Sequence, residues 1–275
     1  MAHRLAALVS ALPLTYAGMA FAPPARQQSG AAVADVGHRG ASAYAPENTL
    51  ASFRAARTKN ADYFELDVQQ TKDGVPIVIH DTTLSRTTDA ESVYPHRSPW
   101  RVRDFTLAQV ERLDAGSWFS ARFRGERVPT LATTLRAMEG SDLKLLLELK
   151  NPSLYPGLTG RVVDHLRAGP DWLLPDRLIV QSFDWGAVQE FHRLMPAVQT
   201  AVLGTPTAAQ LPAVARYAGY VNPRSATVTA AYVRRVHAHH MKVYAWDAGS
   251  EAVMRRLVGD RVDGIIADRP EMVPR

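Results

Sequence analysis

Glu65, Asp67 and His80 fall within one stretch, ELDVQQTKDGVPIVIHD, that reads as two extended arms around Asp73-Gly74. An Asp-Gly pair readily supplies the positive φ angles of a two-residue turn. With that turn, Lys72 faces Val75, and counting back sets Asp67 opposite His80. Opposed residues on antiparallel strands share a face, and Glu65 joins them because strand side chains alternate. Two carboxylates and an imidazole on one surface outline a metal site or an acid/base site. On an arbitrary strand the same residues would be a solvated face, and a one-residue bulge would turn His80 away.

Glu148 and Lys150 close a second run, LKLLLELK, in which Leu145, Leu147 and Leu149 take the opposite face. A Glu and a Lys at the end of an apolar strand are costly to bury unless paired or metal-bound. Glu65, Asp67 and Glu148 together are hard oxygen donors, suited to one divalent cation, Ca²⁺ or Mg²⁺, rather than zinc. His38 and His80 come from separate elements, and two imidazoles can act as base and acid near neutral pH. Arg39 and Lys150 would add positive charge where a phosphoryl group develops its own negative charge. The remaining histidines read as helix or insertion residues. There is no Cys, hence no thiol nucleophile, and no G-x-S-x-G elbow for a serine hydrolase.

The elements that must position these groups follow from the rest of the chain. Runs DVG, YFELDV, LKLLLELK, RLIVQSF, VQTAVLG, GYVNP, KVYAWD and DGIIAD alternate with helical patterns, except that the arm Val75–His80 follows too tightly to be a parallel strand. Eight parallel strands with helices between them predict an α/β fold, a (β/α)8 TIM barrel with a β-hairpin excursion after strand 2. The site residues would then sit at C-terminal strand ends, where barrels place their chemistry. Asn48 is expected to cap the first helix. Residues 82–129 read as an insertion, either a cover for the barrel mouth or a packed excursion on its side.

Length and composition add bounds. At 275 residues one large domain over 35–275 is sufficient. The net charge of +5 is scattered, with no nucleic-acid stripe and no polybasic tail. His3-Arg4 before an apolar run and then Ala20-Phe21-Ala22 predict a signal peptide over 1–22, with Gly18-Met19-Ala20 as an alternative cleavage site and 23–34 as a flexible lead-in. The expectation is export to periplasm or exterior, with no stable membrane insertion after processing.

Gly37-His38-Arg39-Gly40 followed by APENTLASF, then ELDVQQTKDGVPIVIHD, ELK, QSFDW and VDGIIADRP resemble, in order and spacing, the glycerophosphodiester phosphodiesterases. The resemblance runs from about Val36 to Pro270. It implies metal-dependent hydrolysis of deacylated phospholipids, a small-molecule phosphodiester substrate, to glycerol 3-phosphate and an alcohol. His38 and His80 would be the acid/base pair, Glu65, Asp67 and Glu148 the metal ligands, and Arg39 and Lys150 the phosphate-binding cations. Glu47 and Asn48 match the family's first-helix start. The implied route is attack by the glycerol 2-hydroxyl through a cyclic phosphate that water opens. Where the family usually reads Trp-Thr, this chain has Trp246-Asp247; Trp246 would stack on the substrate or simply pack. Alternatives are a phospholipase D-like or phosphatidylinositol-cleaving enzyme on the same barrel, or an exported, catalytically silent binding protein.

Overall fold

Each of the eight apolar runs becomes a strand, and the hairpin arm adds a ninth. The computed structural model describes Met1 and residues 32–274, so the expected signal over 1–22 lies outside the described residues. The strands are β1 (Ala34–Gly37), β2 (Tyr63–Gln70), β3 (Pro76–Val78), β4 (Lys144–Leu149), β5 (Leu178–Ser182), β6 (Gln199–Leu203), β7 (Tyr220–Asn222), β8 (Lys242–Trp246) and β9 (Gly264–Ala267). β1 pairs in parallel with both β2 and β9, which closes an eight-stranded cylinder. β3 stays outside it, antiparallel to β2. The helices are α1 (Leu50–Thr58), α2 (Ala90–Val93), α3 (Leu107–Val110), α4 (Leu131–Met138), α5 (Leu158–Ala168), α6 (Trp185–Leu194), α7 (Leu211–Val214), α8 (Ala230–His237) and α9 (Glu251–Gly259). The expected (β/α)8 barrel is the observed fold. Among the described residues no helix is long and apolar enough to cross a membrane.

Strand alternation divides the residues between two cores. Phe64, Leu66 and Val68 of β2 and Leu145, Leu147 and Leu149 of β4 face outward and pack against the helices. Full burial of a side chain of this size is worth about 1.5–3 kcal/mol. Inside the cylinder each barrel strand contributes one residue to a floor: Val36, Tyr63, Leu146, Ile179, Ala201, Tyr220, Tyr244 and Ile266. Tyr244 holds both Tyr63 and Tyr220 edge-to-face, at 6.0 and 5.1 Å between ring centroids. Two residues further along β2, β4, β5, β7 and β8 stand Glu65, Glu148, Gln181, Asn222 and Trp246. The polar layer therefore rests on an apolar plug.

Residues 82–129 carry a small core of their own, in which Leu84, Val102, Phe105, Val110 and Leu113 pack with Ile77 and Ile79 of the hairpin arm. Trp100 belongs to it and donates from its indole nitrogen to the Tyr94 carbonyl at 2.8 Å. The segment also joins the arm at its far end, where Val78 N donates to the Pro129 carbonyl at 2.9 Å.

Candidate active site

Gly37-His38-Arg39-Gly40 turns sharply at the end of β1. Arg39 and Gly40 both have positive φ, 53° and 81°, and a Cβ at Gly40 would lie 2.5 Å from Ser52. Only glycine allows this approach of the loop to α1. His38 N donates to the Ala267 carbonyl at 3.0 Å, and Arg39 N donates to Oε2 of Glu65 at 2.7 Å. The helix cap differs from expectation. Thr49 caps α1, in a reciprocal box with Ser52, while Asn48 adopts φ 56° and is buried against Asp67. Asn48 donates to Oδ2 of Asp67 at 2.8 Å and accepts from the Asp67 backbone at 3.2 Å. Its side chain is occupied with a carboxylate, which leaves the helix end to the next hydroxyl.

The parallel register of β2 and β4 sets Asp67 beside Glu148. Glu65, Asp67 and Glu148 are all buried, and one oxygen from each lies within 4.8 Å of the others. Lys150 Nζ stands 3.0 Å from Glu148 and 3.6 Å from Asp67, and Arg39 Nε 3.6 Å from Asp67. Burial and the neighbouring acids push Glu65 well above the carboxylate range and Glu148 up to about 8. Burial acts against ionised Asp67 too, but Lys150, His80, Arg39 and the Asn48 hydrogen bond outweigh it and hold Asp67 below its ordinary value. Crowding thus pushes two of the acids up, while the cations hold the third down.

The hairpin turns on three residues, not two, and its register is shifted by one. Val68 faces Val78 and Gln70 faces Pro76, so Asp67 lies opposite Ile79 rather than His80. His80 still reaches the site because the strand ends at Val78, the last ladder bond is made by Ile79, and the chain bends at His80. Gln69 secures the bend: its amide nitrogen lies 3.0, 2.8 and 2.6 Å from the carbonyls of Ile79, His80 and Asp81, its two hydrogens shared among them, while its oxygen accepts from Tyr155. Each imidazole is held at Nδ1 by an aspartate: His80 by Asp81 at 2.7 Å, His38 by Asp268 at 2.8 Å. An Nδ1 proton donated to a carboxylate leaves Nε2 as the working nitrogen. Burial lowers the His80 pKa, and Arg39 and Lys150 act in the same direction against the pull of Asp67 and Asp81. Arg86 bonds Asp81 and Glu47, and Glu47 in turn accepts from Arg39, so the loops bearing the two histidines are tied by one ionic chain.

All eight residues expected from the sequence, His38, Arg39, Glu65, Asp67, His80, Glu148, Lys150 and Trp246, line one cavity of about 220 Å³. Gln181, Phe183, Leu203 and Ile266 complete its wall, and no residue of 82–129 does. Trp246 meets Phe183 edge-to-face at 5.8 Å and donates from its indole nitrogen to the Asn222 carbonyl. Asp247 is paired with Arg224 at 2.9 Å. Its charge is thereby partly compensated.

Residues 38–272 match the model of the glycerophosphoryl diester phosphodiesterase family. The chain belongs to that family. This phosphodiesterase is 36% identical over 243 residues to YhdW of Bacillus subtilis, an alignment covering 86% of this chain and 95% of that one. It is 34% identical over 256 residues to a glycerophosphodiester phosphodiesterase of the same organism, covering 86% and 84%. Among solved structures it resembles an Oleispira antarctica phosphodiesterase in complex with the product sn-glycerol-3-phosphate, with a TM-score of 0.79 and 28% identity over 88% of this chain and 95% of that one.

The acid trio of this phosphodiesterase fits a hard divalent cation. Three buried carboxylates converge, and their crowding raises Glu65 and Glu148 above the ordinary carboxylate range, a penalty that a bound cation would remove. Several groups around the site escape sequence reasoning. Asp81 is legible only as the neighbour of His80; Arg86 and Gln69 carry no motif of their own, and Phe183 shows only as a strand-end aromatic.

Proposed function

We propose that this enzyme hydrolyses glycerophosphodiesters to sn-glycerol 3-phosphate and an alcohol, with His38 and His80 exchanging protons and Glu65, Asp67 and Glu148 holding one divalent cation, Ca²⁺ or Mg²⁺. The observation that carries this reading is the pair of aspartate-oriented imidazoles lining the same cavity as the acid trio. The product bound to the Oleispira antarctica relative supports the substrate class.

Arg39 and Lys150 receive the phosphate and offset its charge. One imidazole takes the proton of the glycerol 2-hydroxyl as that oxygen bonds to phosphorus, and the other gives a proton to the departing alcohol. In the second half the roles reverse, and a water proton is taken as the cyclic ester opens. A divalent cation would supply charge neutralisation at the phosphoryl oxygens. Residues 1–22 we take as an export signal.

The test is release of glycerol 3-phosphate from a panel of glycerophosphodiesters by purified protein, with EDTA and then with Ca²⁺ or Mg²⁺ added back. Activity lost with chelator and restored by one cation is expected. No release from any diester with either metal would leave the catalytically silent reading in its place. Choline release from intact phosphatidylcholine at a rate matching glycerophosphocholine would move the enzyme to the lipid-cleaving class.

A further inference from the structure

His38 stands between two cavities. With Ile266 it lines the acidic one described above, and also a second of about 130 Å³ whose walls include Asp247, Ser250, Asp268 and Arg269. A diester bound with its phosphate at Arg39 and Lys150 has two arms, and only one can fill the acidic cavity. The other needs room beyond it, and the second cavity adjoins the first at His38.

Beside Arg269, that cavity carries two carboxylates that are each only half engaged. Arg224 reaches Asp247 from Nε at 3.2 Å and Nη2 at 2.9 Å, and both bonds end on Oδ2. His38 Nδ1 and Ser42 Oγ both end on Oδ1 of Asp268, at 2.8 and 2.9 Å. Among the described residues Asp247 Oδ1 and Asp268 Oδ2 therefore remain as acceptors, on side chains 49% and 61% exposed. Asp247 is also set in place, with φ 63° and its carbonyl accepting from Ser225 Oγ at 3.0 Å. A non-glycine residue in the left-handed region costs energy, so the surrounding contacts must hold it there.

Resting on the hydrolase reading above, we propose that this second cavity receives the leaving alcohol and that Asp247 favours an alcohol ending in a primary ammonium. Such a group brings both charge and N–H donors, and charge-assisted hydrogen bonds are roughly twice as strong as neutral ones. A polyol brings donors without charge. A quaternary ammonium brings charge without donors.

The test compares kcat/KM for glycerophosphoethanolamine, glycerophosphoglycerol and glycerophosphocholine in the metal-supplied wild type and in Asp247→Asn. The wild type is expected to favour the ethanolamine ester. In Asp247→Asn the ethanolamine-to-glycerol ratio is expected to fall about tenfold, chiefly through KM, as one charged hydrogen bond is weakened. A wild-type preference for either other ester, or a ratio that the substitution leaves unmoved or raises, overturns the proposal. If Asp247→Asn does not fold, Arg224→Ala serves instead: it releases Oδ2 and should raise the ratio, and an unmoved ratio again overturns the assignment. No turnover of any of the three esters by wild type would sink the hydrolase reading and this one with it, whereas turnover with an unmoved ratio sinks only this one.

Discussion

Nδ1 of His38 lies 2.8 Å from Oδ1 of Asp268, a residue 230 positions later in the chain. The pair closes the barrel chemically as β1 and β9 close it mechanically. Asp268 is held below the carboxylate range, first by this hydrogen bond. An asparagine there can present its amide group to Nδ1 and lose the tautomer that leaves Nε2 free. Asp268→Asn is expected to lower kcat roughly 10²–10³-fold with the fold intact. Steady-state kinetics beside a far-ultraviolet circular dichroism spectrum checks it; a kcat within threefold of wild type, about 0.6 kcal/mol, would remove the orienting role.

His80→Ala should abolish measurable turnover, a loss of roughly 10³-fold or more, while the melting temperature stays nearly unchanged. The ring is partly exposed, and its side-chain partner Asp81 keeps Arg86. A variant with near-normal rate would take His80 out of the mechanism.

Stability of the metal-free protein should fall as pH rises. Glu148 titrates near 8 in the fold, raised first by burial and then by Asp67, against about 4.3 in an unfolded chain. Between those values the folded state holds the extra proton, so each step up in pH favours unfolding. Thermal melts in EDTA are expected to show a declining midpoint from about pH 5 to 8, a weaker decline in Glu148→Gln, and recovery on adding the divalent cation. An identical slope in wild type and variant would contradict the burial of a crowded acid.

Gly40→Ala combines a positive φ with a methyl placed 2.5 Å from Ser52. The expected cost is about 2–4 kcal/mol, read as a lower denaturant midpoint at unchanged slope. Because Arg39 N and His38 N hang from the same turn, activity of the surviving folded fraction should fall as well. A variant as stable as wild type would mean the loop can move off α1 freely.

Much of this molecule was legible in the linear order of residues. Eight apolar runs with helical spacers specify a closed parallel barrel, because each run is too short to stand alone and each helix has one apolar face to cover it. Acids and cations at the ends of those runs were bound to meet, since strand ends of a barrel share a rim. Other features were settled only by three-dimensional packing. The hairpin slipped one residue from the register that Asp73-Gly74 implies, and His80 kept its place through a bend pinned by Gln69, a contact that no local pattern encodes. Asn48 gave up capping for Asp67, and Asp81 and Asp268 were allotted to different imidazoles. Such choices depend on which buried polar group is nearest once the backbone has closed, and an unsatisfied one costs more than any local preference can return.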